Sequence, residues 1–207
     1  MSTEKIKLYK NDLPDDLIIT GDIAVDTEAM GLYHKRDRLC LIQISDEMGN
    51  IYIVQFDKST TTAPNIDKLF SNPNIQKIFH FARFDVAVVL QYLSISVNNI
   101  FCTKIASKLT RTYTDSHGLK DLCREFLGVQ ISKQQQSSDW GSEVLTKEQK
   151  IYAASDVLYL HKLRDKLITL LIREERLKLA QACFDFIPSR ALLDLAGWEN
   201  IDIFAHS

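Results

Sequence analysis

Three consecutive runs of branched and aromatic residues constrain this chain most: 22–28, 39–45 (LCLIQIS) and 50–56 (NIYIVQF), with turn signals between them. Such runs read as three strands joined by two hairpins. After Pro64 the rhythm changes to a short helix ending near Phe70. A fourth strand follows at 75–80 (IQKIFH), then a helical segment from Phe84 and a fifth strand at 97–102. Consecutive strands giving way to alternating strands and helices predict an α/β fold, a mixed five-stranded sheet covered by helices.

The second half reads as wholly helical. Leu119, Leu122, Cys123, Phe126 and Leu127 fall at helical spacing and end at Gly128, a C-cap signal. The polar stretch SKQQQSSDWGSEVL reads as a loop. Thr146 with Gln149 three residues later then opens a long helix with a capping box, whose inward stripe is Leu160, Leu163, Leu167, Leu170 and Leu171. No repeat or linker interrupts the pattern. The expectation is one domain over 1–207, with a core over about 20–170 and C-terminal helices over about 171–207.

Five polar residues sit where this pattern does not want them. Asp26 and Glu28 are at i and i+2 of an otherwise apolar strand, so both side chains leave one face. Tyr152 and Asp156 are at i and i+4 of the long helix, in line with its leucine stripe, and Asp85 falls in the first turn of another helix. A buried carboxylate must neutralise, pair or bind a cation, so each acid taken alone is either a salt-bridge partner or a ligand. Taken together, carboxylate oxygens suit Mg²⁺ or Mn²⁺, and no histidine or cysteine cluster competes for zinc. Two such ions held about 4 Å apart stabilise both the attacking and the leaving oxygen in phosphodiester hydrolysis.

Composition narrows the partners. With 25 basic and 27 acidic residues the net charge is −2, which offers no broad polycationic face for long duplex nucleic acid. The aliphatic runs are far shorter than the ~20 residues a bilayer span needs, and MSTEKIKLYK lacks the apolar core of a secretory signal. Cys40, Cys102, Cys123 and Cys183 form no CxxC pair. Reduced thiols, a cytoplasmic location and no membrane association are the expectation.

Several motifs together resemble one family. Asp26-Thr27-Glu28, Asp85 following His80, and Tyr152-Ala-Ala-Ser-Asp156 are similar to the three motifs of DEDD-type 3′-5′ exonucleases in the tyrosine-containing branch. The stretch QQSSDWGSEVLTKEQKIYAASDVLYL, Gln135 to Leu160, is similar to the ribonuclease D family, and the resemblance covers roughly 20–170. DTEAMGL, TRTYTDSHGL and SKQQQSSDWG most resemble the short nanoRNase C type.

The resemblance implies a ribonuclease H-like (DnaQ-like exonuclease) fold and hydrolysis of short oligoribonucleotides, especially dinucleotides, to 5′-mononucleotides. The alternative is trimming of structured RNA 3′ ends or DNA. It also implies two divalent cations and a homo-oligomer, an octameric ring. Asp26 would bridge both cations, Glu28 and Asp156 would complete the site near the attacking water, Asp85 would support the second ion, and Tyr152 would orient or deprotonate the water. The same resemblance puts Leu32, as a wedge between substrate bases, together with His80, Ser138, Asp139 and Trp140 near the substrate. Packing is the alternative for each. Lys35, Arg36 and Arg38 would meet phosphate or form a solvated hairpin, and Trp198 would serve a subunit interface or pack within the monomer.

Overall fold

The computed structural model describes residues 5–132 and 134–206, so the first four residues of the MSTEKIKLYK segment, Lys133 and Ser207 lie outside it. The three strand-type runs become β2 (Ile23–Ala29), β3 (Leu39–Ser45) and β4 (Ile51–Gln55), with both pairings antiparallel. β5 (Lys77–Phe79) and β6 (Ile100–Cys102) extend the sheet from β2 in parallel. A sixth strand, β1 (Ile6–Lys10), was not expected. It joins the far edge in parallel to β4, giving the order β1-β4-β3-β2-β5-β6. Its IKLYK sequence is half exposed, so the apolar run that marks an inner strand is absent.

Every residue of β3 and β4 is buried, because helices cover both faces of the sheet. These helices are α1 (Pro64–Phe70), α2 (Ala82–Leu93), α3 (Thr103–Thr110), α4 (Leu119–Leu127), α5 (Lys147–Leu158), α6 (Leu160–Arg173) and α7 (Leu177–Leu195). α5 lies over β2, β3 and β4, whereas α2 packs on the other side with α7 against it. Gly128 closes α4 in the left-handed conformation, φ 67°, where a Cβ would be strained.

The long helix expected from Thr146 is two helices. Its capping box forms as read, the Thr146 side chain accepting from the Gln149 amide at 3.1 Å and the Gln149 side chain accepting from the Thr146 amide at 2.8 Å. The chain then breaks at Tyr159, φ −104°, between α5 and α6. Leu160, Leu163, Leu167 and Leu171 are fully buried on α6, while Leu170 is only partly so. Among the described residues no helix is long and apolar enough to cross a membrane.

Candidate active site

The alternation of β2 sorts its polar residues between two helices. Asp26 and Glu28 project toward α5, whose Asp156 meets them: one ligand atom from each of the three lies within 4.8 Å of the others. Thr27, between them in the strand, donates to Asp85 Oδ1 on α2 at 2.7 Å. The structure thus gathers three of the four acids into one cluster. The fourth, Asp85, is buried on α2 within reach of the charges of Asp26 and Glu28, and is held by the Thr27 hydroxyl, which sequence reasoning passed over.

No lysine or arginine pairs with these four carboxylates among the described residues. Burial is the main influence on all of them and raises each above the usual carboxylate range. The Asp26 charge pushes Glu28, Asp85 and Asp156 further in the same direction, while the Thr27 hydroxyl partly opposes the rise at Asp85. Unneutralised, all-oxygen and crowded, the group fits a hard divalent cation.

A cleft of about 370 Å³ opens over the cluster, walled by Thr27, His80, Lys104, Lys120, Gln136 and Tyr152. The Tyr152 hydroxyl faces the Asp156 carboxylate. Burial, then the charges of Asp156, Glu28 and Asp26, push this phenol well above its ordinary value. His80 Nδ1 bonds Thr103 Oγ1 at 2.9 Å, and burial followed by the Lys104 charge lowers the imidazole to about 3, so it is neutral. Lys104 and Lys120 are the cations on this wall. Nothing local in the sequence marked them, because the fold brings them here from α3 and α4.

Leu32, Ser138, Asp139 and Trp140 do not line this cleft. Leu32 is 79% exposed and lines a separate, larger cavity of about 710 Å³ with Tyr33, Phe81, Phe84 and Arg83. Ser138 Oγ and the Asp139 carbonyl accept from Gln149 Nε2 at 2.8 and 3.0 Å, which ties the polar loop to the start of α5. Trp140 is buried, its ring 5.9 Å from that of Tyr152, so it backs the tyrosine instead of facing the cleft.

The basic cluster is largely consumed within the protein. Arg36 makes two bonds to Asp37 at 2.6 and 2.8 Å and lies over the Tyr33 ring, and Arg38 donates to the carbonyls of Leu39, Phe56 and Gly141. Trp198 is half-exposed, not packed within the monomer. Gln43, directly across from Asp26 in the β2–β3 register and fully buried, has neither amide atom bonded among the described residues.

A family model described as 3′-5′ exonuclease matches residues 7–172. The chain belongs to the 3′-5′ exonuclease family. The structure of Brucella melitensis NrnC superposes on this exonuclease with a TM-score of 0.93 at 53% identity, covering 98% of each chain. The same protein bound to pGG gives 0.93 at 52% over 98% of each chain. With bound Mg²⁺ it gives 0.92 at 51% over 98% of this chain and 99% of that one. Among curated proteins, the exosome complex exonuclease RRP6 of Saccharomyces cerevisiae is 32% identical over 163 residues, 79% of this exonuclease and 22% of the yeast protein. Ribonuclease D of Acidiphilium cryptum is 28% identical over 165 residues, 80% and 42% respectively. The exonuclease thus spans less than half the length of these curated relatives. It is a ribonuclease D-family enzyme of nanoRNase C-like type, and its six-stranded sheet with flanking helices is the DnaQ-like exonuclease fold.

Proposed function

We propose that this exonuclease degrades very short oligoribonucleotides, dinucleotides above all, from the 3′ end to 5′-mononucleotides, with two divalent cations, Mg²⁺ or Mn²⁺. The observation that carries this reading is the unneutralised cluster of Asp26, Glu28 and Asp156 at the base of a small cleft. A cleft of about 370 Å³ suits a substrate of one or two nucleotides, and two lysines on its wall supply local charge where the chain as a whole is near neutral. A structure of the similar NrnC is bound to pGG, which fits the same size of substrate.

Asp26, Glu28 and Asp156 would hold the cations, with Asp85, fixed by the Thr27 hydroxyl, supporting them. Bound divalent cations supply the positive charge that ionises the attacking water and stabilises the leaving oxygen. Lys104 and Lys120 offset phosphate charge, and His80, neutral and fixed by Thr103, shapes the wall without adding charge. Tyr152 orients the water. A phenol titrates at ~10 when unperturbed, and burial among carboxylates moves this one further from acting as a base. Tyr152→Phe should therefore lower kcat by ~10- to 100-fold and leave KM within about threefold, since water positioning counts mainly in the transition state. Unchanged kcat across pH 7 to 9 removes the tyrosine from the mechanism.

A length series tests the substrate: kcat/KM for RNAs from dinucleotide upward, beside single-stranded and duplex DNA. The expected result is kcat/KM no higher for the tetramer than for the dinucleotide, because longer strands gain few phosphate contacts here. Activity rising with length, or equal on DNA, favours trimming of longer RNA 3′ ends or DNA instead. The four free cysteines suit a reducing, cytoplasmic setting. The exposed apolar surface near the C-terminus, Leu192, Trp198, Ile201 and Phe204, suits self-association, by resemblance into an octameric ring that light scattering would size.

A further inference from the structure

Strand β3 carries one polar side chain that the rest of the fold leaves unused. Gln43 is fully buried, and both polar atoms of its side-chain amide lack a hydrogen-bond partner among the described residues. The two other buried glutamines are bonded at both ends. Gln55 donates to the Ser142 carbonyl at 2.8 Å and accepts from Lys10 Nζ at 2.9 Å, and Gln149 donates to Ser138 Oγ at 2.8 Å while accepting from the Thr146 amide at 2.8 Å. A primary amide carries two donor hydrogens and an acceptor oxygen, and keeping it from water without partners destabilises a fold. The other residues of 39–44 are apolar, so packing alone favours methionine or leucine at this position.

The strand register sets what this amide faces. Gln43 stands directly opposite Asp26 in the antiparallel β2–β3 pairing. Residues paired in this way project from the same face of the sheet with Cβ atoms about 4.5–5.5 Å apart, a gap that the longer glutamine side chain spans to an aspartate carboxylate. That face is the one α5 covers with Tyr152 and Asp156. Two acids of the group already take a side-chain hydrogen bond, Asp85 from the Thr27 hydroxyl and Asp156 from the Tyr152 hydroxyl. Asp26 takes only the Thr27 backbone amide among the described residues. Asp26, central to the proposed cation site, thus has no side-chain donor, and an unbonded amide lies across from it.

We propose that Gln43 is a positioning residue: in the cation-loaded protein its Nε2 donates to the Asp26 carboxylate and fixes the orientation in which that carboxylate meets the cations. This rests on the exonuclease reading above. A carboxylate has room for both tasks, since its two oxygens offer about four lone-pair directions. Asp26 is ionised when it ligates a cation, and an ionised acceptor makes the stronger hydrogen bond. A donor of this kind holds a metal ligand in one orientation, and losing it typically lowers metal affinity or activity ~10- to 100-fold. Gln43 therefore destabilises the metal-free protein and stabilises the cation-loaded one.

Substitution by methionine keeps the length of the side chain and removes the amide. For Gln43→Met, calorimetric titration with Mn²⁺ alone should give a Kd ~10- to 100-fold weaker than that of wild type. The same variant should melt no lower than wild type in EDTA, because it leaves no buried amide unbonded. A glutamine that merely supported the fold would give the reverse, a lower melting temperature in EDTA with Mn²⁺ affinity unchanged. Mn²⁺ affinity within about threefold of wild type overturns the proposal, well short of the loss expected for a ligand-orienting donor. So does a melting temperature in EDTA that falls together with the affinity. A second measurement does not depend on the variant: in wild type the side-chain amide protons of Gln43, assigned through bonds by NMR, should move downfield on saturation with Mg²⁺. Resonances that stay in place overturn the proposal. Wild type that binds no Mn²⁺ removes the cation site itself and the role of Gln43 with it. Cation-dependent hydrolysis by wild type, with Mn²⁺ binding unchanged in Gln43→Met, removes the role of Gln43 alone.

Discussion

Asp26→Asn should lower dinucleotide hydrolysis by at least ~10³-fold and, in the same protein, raise the melting temperature measured in EDTA by a few degrees. Both effects follow from one position. Asp26 belongs to the only group of three acids whose ligand atoms converge among the described residues, and its charge raises the other three carboxylates. Removing that charge leaves the cation site short of a ligand. The amide keeps the shape of the acid, so packing is undisturbed, while like-charge repulsion in a buried cluster is relieved. The gain should be about 1–2 kcal/mol, worth roughly 2–8 °C for a chain of this size. Turnover within tenfold of wild type removes Asp26 from the metal site. A fall in melting temperature together with the loss of activity assigns the defect to folding.

The sequence made this site legible wherever period and chemistry coincided. Asp26 and Glu28 stood out because a two-residue repeat put acids on one face of an apolar strand, and Tyr152 and Asp156 because four residues return a helix to the same side. Thr27, Gln43, Lys104 and Lys120 stayed hidden, since their importance comes from partners brought near by sheet pairing and helix packing. The same cause hid part of the fold. β1 depends on its parallel pairing with β4, more than 40 residues later in the chain. α3 buries Thr103, Ser107 and Thr110 beside Ala106, so its inner face does not read as apolar. The break at Tyr159 carries no glycine or proline to announce it.

Metal-free protein should lose stability as pH rises from about 6.5 to about 8, and Mg²⁺ should restore more of it at the upper end. Burial raises Asp26 to about 7 and Asp156 to about 8 from an ordinary 3.8. A carboxyl whose folded-state value lies above its unfolded one favours folding least when ionised. Its cost therefore begins near the unfolded value, grows with pH and levels off above the folded one. His80 acts in the opposite sense: lowered from 6.5 to about 3, it weakens the fold as pH drops below 6.5, because only the unfolded chain then takes up the proton. Lys77, lowered by burial to about 8, adds stability only as pH rises beyond that value. Between these limits the carboxylates stand alone. One pK unit corresponds to about 1.4 kcal/mol, but the acids share one field and do not add independently, so the expected net loss is ~2 kcal/mol, or roughly 4–8 °C in melting temperature. Cations replace protons at the same oxygens, so the Mg²⁺-induced rise should be larger at pH 8 than at pH 6.5. Asp26→Asn should flatten both trends. A melting temperature in EDTA that does not change across this window, or a Mg²⁺ effect independent of pH, contradicts a buried and unneutralised carboxylate cluster.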